Sequence, residues 1–454
     1  DQIKDLIDAA SASNYTHVEL AIGNDALRFL LDDMSVTANG TTYSSEKVKS
    51  GIQTGNKAYY NAGSVNELTQ SEMDTIISYA KGKNISIIPL LNSPGHMDAI
   101  IDCMESLDMK NVAYTWQSGW QTVTSDRTID VTNTAAVEFT QALLQKYIAY
   151  FADKGCEYFN MGADEYANDV HTSGSMGFGN LQTTGKYSYY VTYVNKVAEE
   201  IKNAKMKPMA FNDGIYFKSD TSAGNFDKDI VICYWTTGFN SGAYAPASAS
   251  FLVNKGHKVI NTNDAWYYVL GRRSGTYPLS SAQNGTKNTG ATSVPGQDAT
   301  PIGCMLCLWC DTPSANYTTT EVNNVKDLIS ELAKNNPDQF TKVMPTGPEI
   351  TTANGSTALD LNGSTTLTIS GVADGATVTW TVTPENVVKL LSVENAAGDT
   401  ITGTSVTAVA VGTGTATVTA TVDGKQYSTT LTVTDPKTKD VTVAVGKTHT
   451  ETVD

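Results

Sequence analysis

The chain predicts an α/β fold: a (β/α)8-type TIM barrel short of its first strand, followed by an all-β immunoglobulin-like sandwich. Two observations carry this prediction. Over the first 340 or so residues, apolar runs without strict polar alternation take turns with amphipathic helical stretches, the pattern of a parallel sheet covered on its outer face. Near residues 344–348 (MPTGP) the composition changes. Downstream the text becomes short Thr/Val alternations at 366–370, 376–382, 415–422 and 428–434, divided by Gly, Asp and Asn turns, with Trp380 and Tyr427 the remaining aromatics.

In chain order, residues 1–14 (DQIKDLIDAASASN) read as a helix feeding a strand at 17–22 (HVELAI). A capping box, Thr69 with Glu72, opens a helix through 73–83, and a strand follows at 85–91 (ISIIPLL). Residues 138–155 form a helix closed by Gly155, ahead of a strand at 156–161 (CEYFNM). Four more strands are expected at 207–211 (KPMAF), 229–235 (DIVICYW), 258–262 (KVINT) and 301–309 (PIGCMLCLW). The total is seven strands where a closed barrel has eight. Because the chain opens on a helix, the missing strand is the first, which predicts an N-terminally truncated barrel over 1–343 and an apolar groove beside 17–22. The sandwich spans 347–435, and 436–454 reads as the start of a further β-rich module.

With 454 residues the chain is too long for a single core. Its formal charge of −16 and its scattered acids argue against nucleic acid or an anionic membrane surface and suit a neutral ligand. No apolar run is long enough for a transmembrane segment. Six cysteines in a chain of this length frame no disulfide scaffold. Cys304, Cys307 and Cys310 have the spacing of a metal run. In a continuous strand, however, Cys307 faces away from the other two, so the reading is small core residues and no metal.

Barrel enzymes place their chemistry at the C-terminal ends of the strands. Those positions hold Asn24, Asp25 and Arg28, the stretch from Asn92 to His96, Asp164 and Glu165, Asn212 and Asp213, Trp235, Asp264 to Tyr268, and Trp309 with Asp311. Aromatic faces stack on pyranose C–H surfaces, and amides and acids match hydroxyls, so the rim has the composition of a sugar site. Taken singly, each residue has an ordinary explanation: a solvated acid pair, a satisfied loop histidine, a packing tryptophan. The adjacency of Asp164 and Glu165 is harder to place, because acid–base pairs normally flank a substrate.

The run 160–165 (NMGADE) resembles the His-x-Gly-Gly-Asp-Glu motif of glycoside hydrolase family 20, with Asn160 for the histidine and Ala163 for the second glycine. The phrases GNDALRFLLDDM, IPLLNSPGHMDA, PMAFNDGIYF, NTNDAWYYVLG and LWCDTPSANY are similar to those of its bacterial cell-surface exo-β-N-acetylglucosaminidases. The resemblance implies a retaining exo-β-N-acetylhexosaminidase, secreted or cell-surface attached, acting without a cofactor on glycans ending in N-acetylglucosamine. Catalysis would be substrate-assisted: the 2-acetamido oxygen is the nucleophile, so no second carboxylate is needed across the ring. Glu165 is then the general acid and Asp164 the partner of the acetamido N–H.

By the same resemblance, Tyr268, in preference to Tyr267, bonds the acetamido carbonyl. Trp235 and Trp309 wall the pocket, Asp311 stands for the usual Glu on the outer hydroxyls, and Phe211 stands where Trp is common. Asn212 and Asp264 are further substrate contacts, and His96, with Asn24, supports the acid. The family's first-strand arginine has no counterpart here. Lacto-N-biosidase chemistry and a silent glycan-binding surface protein are the alternatives.

Overall fold

In a computed structural model the described residues are 1–454 except 173–174, 240–242, 271–276, 311–318, 342–347, 354, 371, 373–375, 393–400, 423 and 437–454. The expected module at 436–454 thus lies almost wholly outside the described residues. The chain divides into two compact units, Asp1–Lys342 and Val343–Asp454.

Seven parallel strands of the first unit lie side by side in chain order: β1 (His17–Asn24), β2 (Ser86–Ser93), β3 (Tyr158–Gly162), β4 (Lys207–Phe211), β5 (Val231–Tyr234), β6 (Val259–Asn261) and β7 (Gly303–Cys304). This is the order of a TIM-like (β/α) sheet. Side-chain alternation divides each strand between two cores. Ile88, Leu90, Met209, Phe211, Val231 and Cys233 point inward into one cluster, while Ile87, Leu91, Phe159, Met161, Ile232 and Tyr234 join the layer beneath the helices.

Among the described residues no strand bridges β7 to β1, and β1 is flanked on its outer side only by a short antiparallel return, Ala26–Leu27. The helix that precedes β1 packs against a helix near the end of the unit, and a cavity lined by Ala12, Asn14, Ala333, Lys334 and Phe340 lies between them. Leu6 and Ala9 of the helix Gln2–Ala12 pack with Val325, Leu328 and Ile329 of the helix Thr319–Asn335. The Tyr15 hydroxyl donates to Ile329 O at 3.0 Å, and its ring meets Phe340 edge-on at 4.7 Å.

The helix starts follow their local chemistry. Thr69 and Glu72 make the reciprocal capping box that opens the helix Gln70–Gly82. Asn133 caps the helix Thr134–Asp153 by accepting from Ala135 N and Ala136 N, and Gly155 leaves that helix at φ 78°.

One strand differs from prediction. The apolar run at 301–309 is not continuous, because Met305 N donates to Asn261 O and the chain then leaves the sheet. It resumes as Leu308–Cys310, pairing with Tyr268–Leu270. Alternation therefore does not hold across the break. Cys304 and Cys307 share the barrel-interior cluster, while Cys310 is exposed and so not a core residue.

The described residues of the second unit form two sheets. One has four antiparallel strands (Glu349–Thr352, Ser364–Ser370, Ser405–Ala410 and Val388–Ser392), and the other has five, including Val378–Thr383, Gly414–Val422 and Lys425–Thr434. Alternate residues such as Leu367, Ile369, Val406, Val418 and Leu431 turn to one shared core that also buries Trp380. Among the described residues no helix of the chain is long and apolar enough to cross a membrane.

Candidate active site

The acid pair sits where β3 stops being a strand. Gly162 and Ala163 adopt left-handed φ values of 71° and 63°, and Glu165 follows at 48°. That break turns two neighbouring side chains to one pocket, which an extended strand would have sent to opposite faces. Only glycine fits at 162, since a Cβ there would lie 1.9 Å from Asn92 Oδ1.

Asn92, near the end of β2, organises Asp164. Its Nδ2 donates to Asp164 Oδ1 at 2.7 Å and to Asn24 Oδ1 at 2.8 Å, and its Oδ1 accepts from Ala163 N at 3.2 Å. Asn24 therefore belongs to the Asp164 side of the site rather than to the histidine.

His96 is buried, with Nε2 3.2 Å from Glu165 Oε2 and 3.5 Å from Asp164 Oδ2, and Nδ1 2.9 Å from Asp25 Oδ1. Tyr59 donates to the other Asp25 oxygen at 3.1 Å, and Arg127 Nη2 lies 2.8 Å from Asp25 Oδ1 and against the His96 ring. Burial and the Arg127 guanidinium oppose a charged imidazole. Asp25 and Asp164 outweigh them and hold His96 protonated well above its ordinary range. Burial opposes the Asp25 carboxylate too, but His96 and Arg127 keep it ionised far below the usual carboxylate value. Asp98 is pushed up to about 8 by burial and by the Asp25 charge.

Asp213, after β4, is fully buried and accepts from Glu165 N at 2.8 Å, from Trp235 Nε1 at 3.2 Å and from the Tyr244 hydroxyl. Burial, then the charge on Asp164, pushes its carboxyl up to about 7. It ties the backbone of the acid to an aromatic wall. In that wall Trp235 stacks on Tyr267 at 6.1 Å and 12°, and Trp309 lies 6.3 Å from Tyr267 and 6.2 Å from Phe211.

The two tyrosines separate, contrary to the expectation for Tyr268. Tyr267 joins the barrel-interior cluster with Trp235, whereas Tyr268 packs with Leu270, Ala282, Val325 and Leu328 on the helix side. Asn212 holds the β4 and β5 ends together through Trp235 N and Thr236 O. Asp264 accepts from the Tyr277 hydroxyl at 3.0 Å, and Tyr277 in turn touches the Tyr267 ring. Asp311 lies outside the described residues.

His96, Asp164 and Glu165 are close enough together to share a cation. The proton on His96 and the adjacent Arg127 already supply positive charge there. Two carboxylates, a buried imidazole and a wall of aromatic rings thus come together at the ends of these strands.

Residues 1–324 match the catalytic-domain model of glycosyl hydrolase family 20. The chain belongs to that family. It is a glycoside hydrolase. A solved structure of the pneumococcal virulence factor StrH is 40% identical, with a TM-score of 0.69, over 75% of this chain and 81% of that one. Another, of the tandem catalytic modules of the pneumococcal exo-β-D-N-acetylglucosaminidase StrH, is likewise 40% identical at a TM-score of 0.69. Dispersin B, at 21% identity and a TM-score of 0.52, shares the fold. A lacto-N-biosidase of Bifidobacterium bifidum is 24% identical over 276 residues, 58% of this chain and 22% of that protein. The chain thus spans about a fifth of the length of that curated relative.

Around this family 20 site, Asp25, Asn92, Arg127 and Asp213 hold the acid pair and His96 through bonds that sequence reading did not assign. Asp25, Asn92 and Asp213 were among the strand-end candidates, and that position was the usable signal. Arg127 comes from a hairpin inserted far along the chain, and nothing local marks it.

Proposed function

We propose that the chain is a retaining exo-β-N-acetylhexosaminidase that releases terminal β-linked N-acetylglucosamine by substrate-assisted catalysis. The observation carrying this reading is the left-handed break at Gly162, Ala163 and Glu165, which delivers both carboxylates to one pocket. In the first step the 2-acetamido carbonyl oxygen attacks the anomeric carbon. The glycosidic C–O bond breaks, and Glu165 gives its proton to the leaving oxygen. Asp164, held by Asn92, accepts the acetamido N–H and stabilises the oxazolinium cation. Water then opens the ring at the anomeric carbon and returns a proton to Glu165.

His96, backed by Asp25, faces Glu165 with a hydrogen-bond donor as that carboxylate gains and loses charge. Tyr267, not Tyr268, takes the acetamido carbonyl in this reading, because its ring stands between Trp235 and Trp309. Phe211 completes the wall, and Asn212 acts by holding Trp235 in place. Asp264 and Asp311 remain proposed sugar contacts. Release of one sugar rather than a disaccharide is favoured by the 40% identity to an exo-β-D-N-acetylglucosaminidase against 24% to a lacto-N-biosidase. The Thr/Val-rich unit is proposed as an immunoglobulin-like spacer of a secreted or surface-attached enzyme.

An aryl N-acetylglucosaminide should be hydrolysed with retention, the matching glucoside should not, and a thiazoline mimic of the oxazolinium ion should inhibit competitively. Equal hydrolysis of the glucoside would refute substrate assistance. Turnover of an aryl lacto-N-bioside alone would reassign the product to a disaccharide.

A further inference from the structure

Between β2 and β3 the chain inserts a hairpin, Ala113–Ser118 paired with Gln121–Ile129 through a turn at Gly119 and Trp120. Its base is bonded to both catalytic loops. Ile129 N donates to Pro94 O at 3.1 Å and Met97 N to Arg127 O at 2.9 Å, while Ala167 N donates to Thr128 Oγ1 and Ser125 Oγ to Asp169 Oδ1, both at 3.0 Å. The Trp116–Val123 pair packs toward the core, and the outer face shows the exposed pairs Thr115–Thr124 and Gln117–Thr122.

At the tip Trp120 is 104% exposed, far beyond the next large apolar side chain, Ile302 at 56%. Tryptophan is highly buried on average, and a bare indole offers a flat face on which a sugar ring can stack. Residues 111–125 also carry no charged side chain, in a chain that is 17% charged. Hydroxyls, amides and one indole, without ions, match a neutral polyhydroxylated ligand and suit neither an anionic surface nor a charged peptide.

We propose that this hairpin is an outer binding arm for the neutral inner sugars of an oligosaccharide whose terminal N-acetylglucosamine occupies the pocket, with Trp120 as the stacking platform. The inference rests on the enzymatic reading above. Trp120 stands three residues beyond Val123, whose side chain still packs against the core, or about 10 Å along the strand. In this proposal the arm meets inner sugars of a bound oligosaccharide and nothing in a small aryl glycoside.

The test compares KM for a branched neutral oligosaccharide ending in N-acetylglucosamine with KM for an aryl N-acetylglucosaminide, in the full chain. Trp120→Ala should raise the ratio of the two by about three- to tenfold, the size of one aromatic contact, with kcat kept on both. Trp120→Tyr should restore most of it. An equal loss on both substrates, or no change on either, overturns the proposal. So does a change in sedimentation of Trp120→Ala, which would assign the tip to a second copy of the chain. Should the wild-type chain hydrolyse neither substrate, the enzymatic reading fails by itself. Calorimetric binding of the intact oligosaccharide by wild type and Trp120→Ala then decides the arm, equal affinities rejecting it.

Discussion

Asp164 and Glu165 are neighbours in sequence but not in circumstance. Asp164 is fixed by Asn92 within the β2–β3 seam, whereas the backbone of Glu165 is held by Asp213 and its carboxylate meets His96. If Glu165 supplies the proton, Glu165→Gln should slow substrates with poor leaving groups most and spare aryl glycosides of acidic phenols. Asp164→Asn should slow every substrate to a similar degree, by about 100- to 1,000-fold, because it weakens stabilisation of the oxazolinium cation whatever departs. Rates across a series of aryl N-acetylglucosaminides check this. Parallel slopes for the two variants would show that the roles are not divided in this way. Arg127 and Asp25 bear on the same residue through His96, so Arg127→Met should change the pH profile of kcat more than it changes KM.

The element on which the site depends is the terminus of β3. Gly162→Ala would drive a Cβ into the Asn92 amide and force φ 71° on a side-chain-bearing residue. Displacing Asn92 frees Asp164, so the variant should fold less stably, by about 1–3 kcal/mol, and lose more activity than that destabilisation explains. Circular dichroism melts beside initial rates test it, and an active variant of normal stability would contradict the geometry. The sequence signal for this break is the pair of small residues before the two acids, which permits the strand to end there. The strands of the sheet were legible for a related reason, since residues buried on both faces write themselves as unbroken apolar runs.

The run at 301–309 misled by the same logic. Apart from the exposed Ile302 it is buried or half-buried from 301 to 309, and nothing in it marks the point where Met305 turns away from β7. The choice between Tyr267 and Tyr268 depends on one residue of register after a single 3-10 turn at Asp264–Trp266, which spacing alone does not fix. The hairpin at 113–129 was missed because its exposed Thr and Gln face is polar, so it reads as a loop.

Across the catalytic unit, the buried charges set a pH dependence with a defined sign. Asp213 and Asp98 have folded values near 7 and 8, above the ordinary carboxylate value of about 4, so between those limits the folded state binds more protons than the unfolded. Stability from these two is full below about pH 4 and is lost as the pH rises through their folded values. Protonated His96 acts in the same direction, its contribution disappearing as pH climbs through its raised value. Asp25 acts oppositely, being stabilising above about pH 4 and losing that contribution only as acid protonates it. The sum places the maximum on the acid side of neutrality, between about pH 4 and 6, with melting temperature falling toward pH 8. The net charge of −16 adds repulsion with the same sign, so the wild-type slope alone does not identify its source. Asp213→Asn separates the two, since it removes a titration yet shifts the net charge by at most one. Its melting temperature should decline less steeply than that of wild type between about pH 4 and 7, and the curves should run parallel above about pH 8. Parallel curves throughout would mean that Asp213 titrates alike in the folded and unfolded states, so that burial does not hold its carboxyl protonated.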